Sequence, residues 1–210
     1  MRPSLLTATL LTLLVLPGCA ALTALGDASQ PLAIYELPTP DSLPQANRRR
    51  DIEVVVEEPN ASGALATERI MIRPGPLQAE YLPGVRWSDT APIMVQTVLL
   101  RSLTESGGFA SVGRRPVGSL GDFAVLTELT DFQAETTEDA DGATVRLRLI
   151  VRLVRESDAT AVATRTFTVT GSTASSDTDT ILGAFEQASS RLMTEVVSWT
   201  LSQLGIAFSG

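Results

Sequence analysis

The chain has 210 residues, with 24 carboxylates against 16 basic side chains and a formal charge of −8. Every basic residue is arginine; there is no lysine and no histidine. These absences exclude an imidazole base, histidine metal ligands, a lysine Schiff base and the lysine of a Walker loop, and the acidic balance opposes binding to nucleic-acid phosphates or broad contact with anionic lipid heads.

The first segment is a run without charge from Leu5 to Leu16, preceded by Arg2. A positive start, a short apolar core and a small-residue exit describe a secretory signal. The run is too short for a bilayer span, which needs about 20 apolar residues. It closes in Leu16-Pro17-Gly18-Cys19, and Cys19 is the single cysteine. This stretch resembles a bacterial lipobox, which implies cleavage before Cys19 and acylation of its thiol. A plain signal with an incidental cysteine is the alternative. The expected organisation is a signal peptide over residues 1–18, a lipidated tether over 19–32 and a single domain over 33–210.

Residues 33–37 alternate and predict a short strand, before Pro38, Pro40 and Pro44 interrupt regular structure. Arg48-Arg49-Arg50 follows, either a contact for a partner or acidic lipid, or a solvated loop. Ile52 to Glu58 predicts a strand, Pro59 to Gly63 a turn, Thr67 to Arg73 a second strand, and Leu77 to Tyr81 a strand paired back on it. The segment Ser88-Asp89-Thr90-Ala91-Pro92 predicts a helix start with a polar cap, an acid in the first turn and an early proline. Val95, Val98, Leu99 and Leu103 give that helix one apolar face over about five turns, ended by Gly107-Gly108. Trp87, at its threshold, either staples the helix to the core or stacks on a ligand.

After a short strand at 109–112, three longer strands are predicted. Asp122 to Thr136 is apolar on both faces in places, as a central strand is. Val145, Leu147, Leu149, Val151 and Leu153 alternate with Arg146, Arg148 and Arg152, the cleanest period-two pattern in the chain. Closing a hairpin at 137–142 puts Asp131 opposite Arg148, within two residues. Glu156 to Ala159 is a turn, and 161–170 returns as a threonine-rich strand, which completes an antiparallel meander. The arginine row either binds phosphate or carboxylate groups or pairs with acids on a neighbouring strand. Asp177 or Thr178 caps a final helix of about seven turns, whose stripe is Ile181, Phe185, Ala188, Leu192, Val196 and Trp199. Trp199 belongs to the core or lines a lipid or partner groove. The fold class expected is α/β of α+β type: a mixed, largely antiparallel sheet with two main helices packed on it. No metal or cofactor is expected. A carboxylate-only hydrolase stays formally open, but no local pattern of Asp and Glu singles out a pair, so the chain is read as no enzyme.

The ordered set Cys19, Tyr35-Glu36-Leu37, the Arg73–Tyr81–Arg86-Trp87 stretch, residues 103–109, residues 129–135, Leu153-Val154, Arg165-Thr166-Phe167 and residues 195–199 resembles the ABC-type transport auxiliary lipoproteins, the PqiC-like family. The resemblance covers nearly all of the chain after Cys19. It implies a non-catalytic component of a lipid transport system between the inner and outer membranes. The implied partners are a protein bearing an MCE domain, an inner-membrane permease and its ATPase. It further implies an outer-membrane lipoprotein facing the periplasm, with self-association into rings in some members. Two other readings are a periplasmic lipid carrier, which needs an internal cavity of roughly 300–1,000 Å³, and an outer-membrane or lipopolysaccharide assembly lipoprotein.

Overall fold

The computed structural model describes residues 31–115, 120–136 and 141–210. The leader, Cys19, most of the tether and residues 137–140 of the first hairpin turn lie outside the described residues. Residues 34–210 form one compact unit, an α+β fold with two helices and a mixed, mostly antiparallel sheet.

The meander is the backbone of the sheet. Strands β9 (Phe123–Thr136), β10 (Ala143–Arg155) and β11 (Thr160–Ser172) pair antiparallel in sequence. Arg148 stands opposite Asp131, as the hairpin arithmetic predicts. The side chains of Val145, Leu147, Leu149, Val151 and Leu153 are all 0% exposed. Burying each stabilises the fold by about 1.5–3 kcal/mol against leaving it in water. The alternating arginines turn to the opposite face.

A bulge explains the mixed pattern of β9. Leu129 pairs with Leu149 and Asp131 with Arg148, so Thr130 is the extra residue. It shifts the parity of the strand, and both Leu129 and Phe132 therefore face the core although they stand an odd three positions apart. Part of the two-faced apolarity that reads as a central strand is this change of phase.

The other edge of β9 is paired in parallel by three short strands laid end to end. They are β3 (Glu53–Val56), β4 (Asn60–Ala61) and β5 (Met71–Arg73). Residues Asn60 and Ala61, expected within a turn, instead bond to Glu128 and Leu129. Strand β6 (Glu80–Tyr81) pairs back on β5 as expected, and β8 (Ser111–Gly113) adds to β3. Two pairs stand apart from this sheet: β1 (Ala33–Tyr35) with β7 (Val85–Trp87), and β2 (Gln45–Ala46) with β12 (Phe208–Ser209).

Helix α1 (Ala91–Glu105) packs against β3 and β8, and α2 (Thr178–Gln203) against β10 and β11; the two helices also touch each other. The apolar stripe of α2 is buried along its length, from Ile181 at 1% to Trp199 at 8% exposed. Two expectations for α1 are corrected. It has 15 residues, about four turns, and its first turn holds no acid because Asp89 lies ahead of the cap residue Thr90. Gly108 permits the close approach of the helices' far ends: a Cβ there would sit 2.6 Å from Cδ2 of Leu201. Among the described residues, no helix is long and apolar enough to cross a membrane.

Candidate functional site

Arg48, Arg49 and Arg50 follow β2 and lie where both helices end. The backbone N–H of Ala46 donates to Ser106 O, that of Asn47 to Ala207 O and that of Arg50 to Gly108 O. The Arg49 guanidinium donates to Ala110 O at 2.7 Å. Backbone and Arg49 thus satisfy carbonyls that follow the helix ends, where cations are favoured. Arg48 and Arg50 are exposed and line a recess of about 240 Å³ with Asn47, Gly205, Ile206 and Ala207.

The two tryptophans lie inside. Trp87 is 2% exposed and meets Phe185 edge-on, with ring centroids 5.3 Å apart; Phe132 completes the trio at 5.8 Å from Trp87 and 5.3 Å from Phe185. Trp199 packs edge-on against Phe167 at 5.7 Å, and the Arg165 guanidinium covers Phe167 at 4.8 Å. Trp87 also forms part of the wall of a recess of about 260 Å³ beside Tyr35, Leu37 and Glu186.

The arginine row divides into two roles. Arg146 holds Glu135 with two bonds, Nε to Oε1 at 2.7 Å and Nη2 to Oε2 at 3.1 Å. Hydrogen bonding from Arg146 holds the Glu135 carboxyl below its usual range, and the same bond raises the guanidinium. Gln133 donates to both Asp131, at 3.1 Å, and Glu135, at 3.4 Å. Arg148 and Arg152 are exposed and make no ion pair among the described residues. Asp131, although in register with Arg148, accepts from Gln133 instead.

Two clusters carry no local sequence signal, because their members are far apart in the chain. Arg115 bridges Glu57 and Glu156, which raises its guanidinium pKa chiefly through the bond to Glu156. Arg114 donates to Gln96 Oε1 at 2.9 Å and to Thr97 Oγ1 at 2.7 Å, while Gln96 Nε2 donates to Val56 O at 2.9 Å. Both brace the end of β3 against α1 and the loops around it. Among the described residues, no group of three or more Cys, Asp or Glu could hold a metal ion.

Phe185, Val196 and Val197 of α2 are 0% exposed against the equally buried face of β10. A recess of about 440 Å³ is open at the surface and lined by Asn60, Ala61, Ser62, Glu128, Leu129 and Thr130, a set with one large apolar side chain.

Residues 35–197 match the family described as ABC-type transport auxiliary lipoprotein component. An uncharacterized protein of Bradyrhizobium diazoefficiens is 28% identical over 193 residues, covering 89% of this chain and 49% of that protein. The chain thus spans about half the length of that relative. The crystal structure of protein XCC0632 from Xanthomonas campestris, of family DUF330, superposes with a TM-score of 0.74 at 28% identity, over 82% of this chain and 97% of the other. A crystal structure of another uncharacterized protein shares the fold at a TM-score of 0.59 and 16% identity, over 81% of this chain and 99% of the other.

Proposed function

This chain belongs to the ABC-type transport auxiliary lipoprotein family, and from that premise we propose that it is the tethered, non-catalytic docking component of a lipid transport system between the two membranes of the envelope. Its partner would be an MCE-domain protein working with an inner-membrane permease and ATPase. Its anchor would be an acylated Cys19 in the outer membrane, with the domain in the periplasm.

The observation that carries this reading is the family match over residues 35–197. Three features support it. The lipobox-like Leu16-Pro17-Gly18-Cys19 supplies an anchor, and two or more acyl chains hold stably at about 0.8 kcal/mol per buried methylene. Among the described residues, Arg49, Arg114, Arg115 and Arg146 brace backbone, amide, hydroxyl or carboxylate groups, and Arg48, Arg50, Arg148 and Arg152 lie on open surfaces. The close packing between sheet and α2 favours docking over carriage of acyl chains inside the domain.

The test is co-purification. A C-terminally tagged full-length chain, expressed at its native level and extracted gently, is expected to recover an MCE-domain protein by mass spectrometry. The Cys19→Ala version serves as the control without a lipid anchor. Recovery of only a β-barrel protein would reject docking in favour of an assembly factor, and bound lipid without a protein partner would reject it in favour of a carrier.

A further inference from the structure

We propose that the free edge of β11, backed by Arg148 and Arg152, receives an extended acidic segment of a protein partner as an added strand. Edge geometry and charge define this surface, whether or not that partner belongs to a transport assembly.

Among the described residues, strand β11 is the outermost strand on its side of the sheet, and its 13 residues pair with β10 alone. Nη2 of Arg191 donates to Thr170 O at 2.6 Å, so Thr170 turns its carbonyl away from β10. In an antiparallel ladder alternate residues turn both backbone groups to the same side. Thr164, Thr166 and Thr168 therefore present N–H and C=O outward, and all three are exposed. Natural sheets guard such edges with proline, lysine, bulges or short length. This edge has no proline along its length, and its one bulge, at Val162, lies toward the start of the strand, before Thr164, Thr166 and Thr168.

Charge selects the occupant. Strands β10 and β11 carry five arginines (146, 148, 152, 155 and 165) and no carboxylate, in a chain of net charge −8. Arg146 is held by Glu135 and Arg155 by Asp158. Arg148 and Arg152 remain on the face of the sheet that no helix covers, beside the column Thr164, Thr166 and Thr168. A strand added to β11 would lie about 10 Å from β10, within reach of an arginine and a glutamate side chain together. Arg148 and Arg152 stand about 13 Å apart along the strand, which matches carboxylates four residues apart on one face of the incoming segment. None of the exposed large apolar residues (Leu32, Ile34, Leu77, Leu120) lies on these strands, which favours a protein segment over a lipid surface.

The test uses the full-length protein in detergent micelles and a fluorescein-labelled synthetic peptide of roughly twelve threonine and valine residues carrying two glutamates four apart. The glutamate peptide is expected to bind in a salt-sensitive way, and its glutamine twin more weakly. Arg148→Glu with Arg152→Glu is expected to weaken binding at least about tenfold. Thr166→Pro removes an outward donor that an edge strand does not need for its own pairing; binding should be lost, and bound peptide should slow amide exchange at Thr164, Thr166 and Thr168 in the parent. Equal binding of the two peptides, or binding by Thr166→Pro as tight as the parent's, would overturn the proposal. So would edge amides already protected by a second copy, or arginine-dependent capture by phosphatidylglycerol vesicles without peptide binding. If Thr166→Pro fails to fold by circular dichroism, the arginine pair decides.

Discussion

Removing Phe185 from its aromatic trio is the sharpest test of how α2 is fixed to the sheet. Phe185 is fully buried and makes two ring contacts, each at 5.3 Å, with Trp87 and Phe132. Phe185→Leu keeps an apolar side chain but loses both ring pairs, each worth about 0.5–1.5 kcal/mol beyond area burial. The expected loss is therefore about 1–3 kcal/mol, before any cavity term. For a domain of this size that lowers Tm by roughly 2–12 °C. Urea melts should show a lower midpoint with an unchanged slope. Trp87 and Trp199 are the two tryptophans, so a Trp199→Phe background lets fluorescence report Trp87 alone. A cycle pairing Phe185→Leu with Trp87→Leu, followed by circular dichroism, should give a coupling of about 0.5 kcal/mol or more. Additive effects, or a loss under about 0.5 kcal/mol, would refute the trio as a packed unit and return Trp87 to the ligand-stacking reading.

Glu135→Gln tests the arginine row. A carboxyl held below its ordinary value of 4.5 contributes stability present above that value and lost as pH falls through the lower native one. The variant should be less stable at neutral pH by no more than about 1 kcal/mol, since the pair is partly exposed, and the difference should vanish in acid melts well below pH 4.5. Gly142→Ala should destabilise by about 1–3 kcal/mol in the same melts, because a Cβ there would stand 2.2 Å from Thr173 O. Ala159→Gly should stabilise by about 0.5–1 kcal/mol in thermal unfolding, since Ala159 adopts φ of 54° in the turn before β11.

What sequence could and could not show follows from the range of each signal. The meander was legible because period two and a short hairpin fix both face and register, and the Asp131–Arg148 pairing shows how far that reaches. The strands at β3 and β5 were legible too, but β4 and the parallel pairing of all three on β9, some 60 residues away in the chain, were not. A pattern too short to alternate reads as a turn at Asn60-Ala61, and the bulge at Thr130 leaves no mark except a broken rhythm. Trp87 at the threshold of α1 and Trp199 on the stripe of α2 hold positions that sequence reads equally as core or as groove lining. The register of Arg148 against Asp131 was readable, but Gln133's bond to Asp131, taken up in place of a bond from Arg148, depends on rotamers that only the folded sheet sets. The bridge from Arg115 to Glu57 and Glu156 joins three loop and strand ends that no local spacing connects.

The measurement closest to the central claim is where the transport partner resides. Inner and outer membranes would be separated on a density gradient from cells with the full-length chain, with Cys19→Ala, and without it. Docking predicts that an MCE-domain protein co-fractionates in part with the outer membrane when the chain is intact, and withdraws to the inner membrane in the other two strains. An identical distribution in all three, with this chain present and folded in the first, would contradict the docking role.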